Sequence, residues 1–489
     1  MAVTPEPGFT IEAVGGPAAP DNALRRSCVT ILILAALVLR PYADPRRGDF
    51  ALYLQAKSFA QLRLDIPLPP DGAIPADVSL RDGRYYASAP PGASLLLVPF
   101  VWAGWLVDEL TDGRLGRQAT RGWSVSNAEY TAVHVANLFV LAGILYFLTR
   151  LGSVLLADRS PGVVTRAAEL LFFTAPLWHE SSHPTSVLPA TMFMLGTTAF
   201  VFEARSERAP WVRAGALAAA AIIVRPTDLV LVLLLLAYAL GVARRPIVAA
   251  LRFAAPLAAG LVLLFGVNAA MHGAPLGTSR ETADSPVGAR FGTPLPVGLV
   301  GLTVGAISDR GHEDGEGVRY RMVLADASTP WKRVRGLLLV MPVVVFGIAG
   351  LLRLGRADQR AEAAVIGGGL LLLLLLFAQS ARWFGDPVTP LAPRLLTDAM
   401  PAWCLVTVAW ADEAKGLRRS VFLVATCWSA ANQLLVVLNP YVTALSGVDV
   451  TAEHVWKIAS LLLIASLFAW LAEGTRRGYV EDVASRRLP

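Results

Sequence analysis

Apolar residues run along this chain in long blocks, and the stretches between the blocks are short and carry arginines. Blocks such as 230–240, 370–378 and 461–471 sit in charge-poor windows of the length a bilayer-spanning helix needs. The pattern predicts spans at 28–39, 128–151, 167–180, 184–203, 211–226, 228–243, 249–270, 336–352, 362–381, 398–411, 419–438 and 457–472. With this assignment Arg25 and Arg26, Arg150 and Arg166, Arg205 and Arg208, Arg244 and Arg245, Arg353 and Arg356, Arg418 and Arg419, and Arg476 and Arg477 all fall on one side. That side is the cytoplasm, because basic loops stay inside. The expectation is an all-α bundle of about twelve spans with both termini cytoplasmic. Residues 1–24, rich in Pro, Ala and Gly, read as a disordered tail, and 25–489 as one membrane domain.

Three outer segments are long or polar: 42–126, 271–335 and 382–397. Within the first, the apolar run 94–107 is short and flanked by proline. It reads as an interfacial or re-entrant helix, since counting it as a span would turn every later basic loop outward. Residues 51–63 read as an amphipathic helix on the outer membrane surface, with Tyr53, Lys57 and Gln61 on one face at four-residue spacing. Asp49 stands at its N-terminal end, where the helix dipole favours an acid; capping that helix is the plain structural role for it.

Composition sharpens this picture. Of 489 residues 55% are hydrophobic and 16% charged, and mean hydropathy is +0.53, which excludes an ordinary soluble domain. The net charge of +6 lies in short loops between spans, a pattern of membrane orientation rather than nucleic-acid binding. Cys28, Cys404 and Cys427 all fall within predicted spans and imply no disulfide framework. No phosphate-binding glycine loop and no internal repeat is evident.

His179-Glu180-Ser181-Ser182-His183 spells the zinc-protease motif HExxH. That chemistry needs both histidines on one face of a continuous helix. Here Pro176 and Pro184 bracket the motif, a proline after His183 disfavours helix at that residue, and the topology requires a tight outer turn. Three readings follow: a polar wall of some other site, a zinc protease, or the plain polarity of a loop. Arg225, between the apolar runs 216–224 and 229–236, is either a functional cation or the mark of a turn paired with Asp228. Glu129, at the outer start of its span, is a second candidate acid or a helix-terminal charge. Asp108, Glu109 and Asp112 read as solvated surface.

The order of these features resembles the polytopic glycosyltransferases of the GT-C superfamily, particularly bacterial relatives of protein mannosyltransferases and lipid A sugar transferases. Arg47-Gly48-Asp49-Phe50-Ala51-Leu52-Tyr53 is similar to their first outer-loop motif, with Phe50 where a second acid often stands. Residues 86–99 (YASAPPGASLLLVP) resemble their second. Looser likenesses are 174–183, Val224-Arg225-Pro226, 291–294, 328–342 and 392–398, so the resemblance covers residues 25 to 410. It implies transfer of a sugar from a polyprenyl-phosphate donor to an extracytoplasmic acceptor, which is a glycan, lipid or protein, at a site on the outer face of the cell membrane. Asp49 is then the base, and Arg394, with Arg225 and Lys57 behind it, holds the departing phosphate. His179, Glu180, His183, Tyr86 and Glu129 become substrate contacts. No cofactor is required; a divalent ion shared between the HExxH side chains and Asp49 stays open. A ligase or polymerase of lipid-linked saccharides, a flippase or transporter, and an intramembrane zinc protease are the competing classes.

Overall fold

The computed structural model describes residues 22–39, 48–69, 73–75, 77–156, 162–203, 210–275, 295–303, 307–310, 319–322, 337–356, 359–379 and 392–446. Most predicted spans up to residue 438 fall on one helix each; 167–180 is broken between Gly162–Thr174 and Leu177–Ser181, 336–352 is divided among Leu337–Val340, the 3-10 turn Pro342–Val345 and Phe346–Leu354, and 457–472 lies outside the described residues. The helices are α1 (Asn22–Leu37), α2 (Gly48–Ala60), α3 (Pro91–Leu110), α4 (Asn127–Leu155), α5 (Gly162–Thr174), α6 (Leu177–Ser181), α7 (Val187–Glu203), α8 (Trp211–Val224), α9 (Leu229–Val242) and α10 (Pro246–His272). Beyond them come Leu295–Thr303, Phe346–Leu354, Arg360–Gln379, Met400–Ala411 and Leu417–Ser446. Among the described residues α3, α4, α10 and Arg360–Gln379 are long and apolar enough to cross a membrane; α7, α8 and α9 are shorter apolar helices.

The bundle has two distinguishable ends. Helices α4 and α7 run parallel: a Cβ on Gly143 would meet Met192, Phe147 packs on Phe200, and Arg150 pairs with Glu203 where both helices finish. Helix α8 returns antiparallel to α7, and α10 runs alongside α8 with Gly215 against Phe253 and Gly260 against Ala219. The ends of α8 and α10 therefore lie where α4 and α7 begin.

Helix α3 is longer than the expected run, and its packing shows how it lies. Pro91 at its first position suits helix initiation. A Cβ at Gly92 would fall 2.5 Å from the Ile223 carbonyl, in the last turn of α8, and one at Gly104 would collide with Glu129, in the first turn of α4. Those two glycines are about 18 Å apart along the helix. Helix α3 thus meets the last turn of α8 and the first turn of α4, and Phe100 packs on Phe139 further along α4 at 5.5 Å between ring centres.

Helix α2 departs from expectation. In place of an amphipathic helix with a polar face in solvent, residues 49–56 and Ser58 are all buried. It starts three residues earlier than predicted and is enclosed by α3, α4 and a hairpin. The hairpin, β1 (Val78–Arg81) with β2 (Arg84–Ala87), pairs Val78 with Ala87 and Arg81 with Arg84 around Asp82-Gly83, both at positive φ, the tight turn that Asp-Gly favours. A second hairpin, β3 (Arg117–Thr120) with β4 (Trp123–Ser126), turns at Arg121-Gly122 in the same way. Trp123 on β4 donates to the Ala73 carbonyl at 2.9 Å and meets Phe50 edge to face at 5.4 Å, roofing the start of α2.

Candidate functional site

Asp49 lies in the first turn of α2 and is 4% exposed. Tyr130 donates its hydroxyl to Asp49 Oδ2 at 3.2 Å, and His134 Nε2 stands 3.8 Å from the same oxygen. These two side chains, four residues apart on α4, lie with ring centres 4.6 Å apart and planes tilted by 56°. His134 Nδ1 is 2.8 Å from the Tyr130 carbonyl. A carbonyl only accepts, so Nδ1 carries the hydrogen and Nε2 is the nitrogen presented to Asp49.

One turn further along α2, the Tyr53–Lys57 face that looked solvent-directed turns instead to α4. Tyr53 Oη and Lys57 Nζ both donate to Glu129 Oε2 at 2.7 Å. Ser126 caps α4 by accepting from the Glu129 amide at 3.3 Å. Burial, with the Glu129 carboxylate beside it, holds the Tyr53 hydroxyl well above the usual phenol range, so it stays a donor.

The HExxH segment is also at this end. Only Leu177–Ser181 is helical, a single turn following Pro176, and His183 lies beyond it. The histidine rings meet edge to face at 5.0 Å, and His179 Nδ1 is 3.6 Å from Glu180 Oε1. The continuous helix of a zinc protease is absent here, and among the described residues no three His, Cys, Asp or Glu side chains come together as a metal site. Among the described residues this donor set does not fit a bound ion. Asn137 on α4 donates to the Ser181 carbonyl at 3.2 Å, tying this segment to the helix that holds Asp49.

A second polar group forms where α7, α8 and the 3-10 turn Ala392–Ala399 meet. Arg225 pairs with Asp398, and Thr191 donates to Asp398 Oδ1 at 2.7 Å. Asp228 is fully buried within electrostatic reach of both. Arg394 lies on the described turn, but its side chain lies outside the described residues. Phe50, Tyr130, Ala190 and Val224 belong to one apolar cluster, so the neighbours of Asp49, Thr191 and Arg225 pack together. Tyr86 is buried, its ring 5.9 Å from that of His272. Beside them opens a cavity of about 230 Å³, with Ser88, Asn268 and His272 among its polar lining and Leu229, Leu261 and Phe265 among its apolar walls.

The structure thus brings Asp49, Lys57 and Glu129 together, places His179, Glu180 and His183 one helical step away, and gathers Arg225 with Asp398. Sequence reasoning missed Tyr130, His134 and Asp398. The signal for the first two was the spacing Glu129-Tyr130, His134, Asn137, a polar face inside an apolar block; Asp398 sat inside a quoted motif and was overlooked beside Arg394.

No protein-family model and no curated relative matches the sequence. Among solved structures, ArnT from Cupriavidus metallidurans bound to undecaprenyl phosphate is similar at a TM-score of 0.52 and 14% identity, over 95% of this chain and 73% of that one. The Archaeoglobus fulgidus oligosaccharyltransferase in its apo form is similar at 0.45 and 12% identity, over 91% of this chain and 54% of that one. The likeness to ArnT is one of fold: the chain shares that architecture over most of its length.

Proposed function

We propose that the protein is an integral-membrane inverting glycosyltransferase that moves a sugar from a polyprenyl-phosphate donor to an extracytoplasmic acceptor of the cell envelope. The observation that carries this reading is the burial of Asp49 at the end of the bundle where the other candidate polar groups collect. A structural surface acid would face solvent. An acid held at a buried polar junction, oriented by Tyr130 and flanked by His134, has the features of a base set against a substrate.

The Asp49 carboxylate takes the proton from an acceptor hydroxyl as that oxygen attacks the anomeric carbon. The bond between that carbon and the phosphate oxygen breaks, its electron pair leaves with the phosphate, and the configuration inverts. Lys57 and Arg225 are each partnered by an acid, Glu129 and Asp398, so Arg394 is the cation assigned to the leaving phosphate. The cavity between the Ser88–Pro90 segment, α8 and α10 suits the first isoprene units of the donor: its walls are mostly apolar, with Ser88, Asn268 and His272 as polar exceptions. His179, Glu180, His183, Tyr86 and Glu129 shape the sugar and acceptor side.

Membrane vesicles given radiolabelled polyprenyl-phosphate sugars test this reading, comparing the native chain with Asp49→Asn and Asp49→Ala. Label should move to an endogenous acceptor only with the native chain. Full transfer by both variants would remove Asp49 from the role of base, and no transfer from any donor would overturn the reading altogether.

A further inference from the structure

Arg225 is the residue at which α8 stops. Its backbone is extended (φ −147°, ψ 92°), and Pro226 opens the short 3-10 turn Pro226–Asp228 leading into α9. This geometry turns the side chain into the bundle, where the residue is 8% exposed and its guanidinium lies 5.3 Å from the centre of the Phe377 ring. Asp398 closes the other side. It accepts from Arg225 and from Thr191, and it is the penultimate residue of the turn Ala392–Ala399, which continues into Met400–Ala411. Three stretches distant in sequence therefore meet on one carboxylate: α7 through Thr191, the junction of α8 with the Pro226–Asp228 turn through Arg225 and Asp228, and Ala392–Ala399 itself.

We infer that Arg225 and Asp398 form a buried clasp that sets the position of the Ala392–Ala399 turn, and that Arg225 acts through this turn rather than by touching the donor. The Arg225 guanidinium is already paired with the Asp398 carboxylate and packed against an aromatic ring, and moving it to a phosphate would leave Asp398 buried without that cation. What the clasp holds is the backbone four residues beyond Arg394. Arg394 shares that turn, so holding Asp398 holds the backbone that carries Arg394. Arg225, Asp398 and Thr191 are thus positioning residues for the cation assigned to the phosphate. This rests on the proposed donor chemistry for its consequence, though not for the clasp itself.

The test uses the full chain in lipid nanodiscs with two readouts: hydrogen exchange of the 396–400 amides, and binding of sugar-free polyprenyl phosphate. Asp398→Asn should speed exchange of those amides on the order of tenfold or more and weaken lipid binding, leaving the α2 amides at the native rate. The charge-swapped double variant Arg225→Asp with Asp398→Arg should return both readouts toward native values. A swap as open as either single variant would overturn the clasp. So would native exchange in Arg225→Lys with lipid binding lost, which would make Arg225 a direct ligand. Should Asp398→Asn not accumulate folded, Thr191→Val gives a milder increase at the same amides, and an unchanged rate there overturns the clasp equally. If the native chain binds no polyprenyl phosphate while Asp398→Asn still loosens the turn, the clasp stands and the donor reading falls.

Discussion

At the end of the bundle where α4 starts, Asp49, Glu129, Glu180, Arg225, Asp228 and Asp398 are all buried. Where α4 finishes, the pairs Arg150 with Glu203, Arg166 with Asp412 and Arg353 with Glu413 leave between 20% and 49% of each side chain exposed. Both ends are rich in charge, yet they spend it differently. Exposed pairs cost little to form and contribute little; they mark which ends of the spans stay on the basic side. Buried acids each lose water, a penalty of several kcal/mol that only good partners offset. The chain accepts that cost repeatedly at the first end; at the other, Glu362, which accepts from Tyr238, is the buried acid among otherwise exposed pairs.

Replacing groups at each end tests the contrast. The largest effect belongs to Asp49→Asn, which keeps the shape and the Tyr130 contact but removes the base: sugar transfer should fall about 10²–10⁴-fold, with thermal stability unchanged or raised. Comparable loss of folding would make Asp49 a structural acid and erase the distinction. Lys57→Met should come next. It strands the Glu129 carboxylate and should cost about 2–4 kcal/mol in denaturant unfolding, less than a fully buried pair because Lys57 is 27% exposed; adding Glu129→Leu should recover most of it.

Gly92→Ala probes the contact of α3 with α8. The new methyl meets backbone at Ile223 and Val224, which cannot rotate away, so about 1–3 kcal/mol should be lost. A neutral result would mean that α3 sits loosely against α8. The smallest effect is expected at the opposite end: Arg166→Ala should change stability by less than about 1 kcal/mol, shrinking further in high salt, and leave transfer intact. A large effect there would show that the two ends are not so different.

Helix positions were legible in sequence because apolar periodicity and basic loops act locally, and bilayer thickness sets a length. The hairpin turn Asp82-Gly83 carries an equally local signal, embedded in a long polar segment. The nature of α2 was not legible. Its polar face implied solvent, and only the arrival of Glu129 from another helix, 72 residues further on, turns Lys57 inward. His134 is lost within a span when read along the chain, and becomes the neighbour of Asp49 once α2 lies on α4.

By itself, then, the sequence determined a many-helix membrane protein, its basic side and the acid that opens its first polar segment, since these depend on short-range pattern and total apolar length. Only the tertiary structure decided which acid meets which cation. Pairing of Glu129 with Lys57, of Asp398 with Arg225 and of His134 with Asp49 depends on helices distant in sequence lying side by side. Burial then gives each of these pairings its energetic weight, and burial is a property of the assembled bundle, not of any stretch of chain.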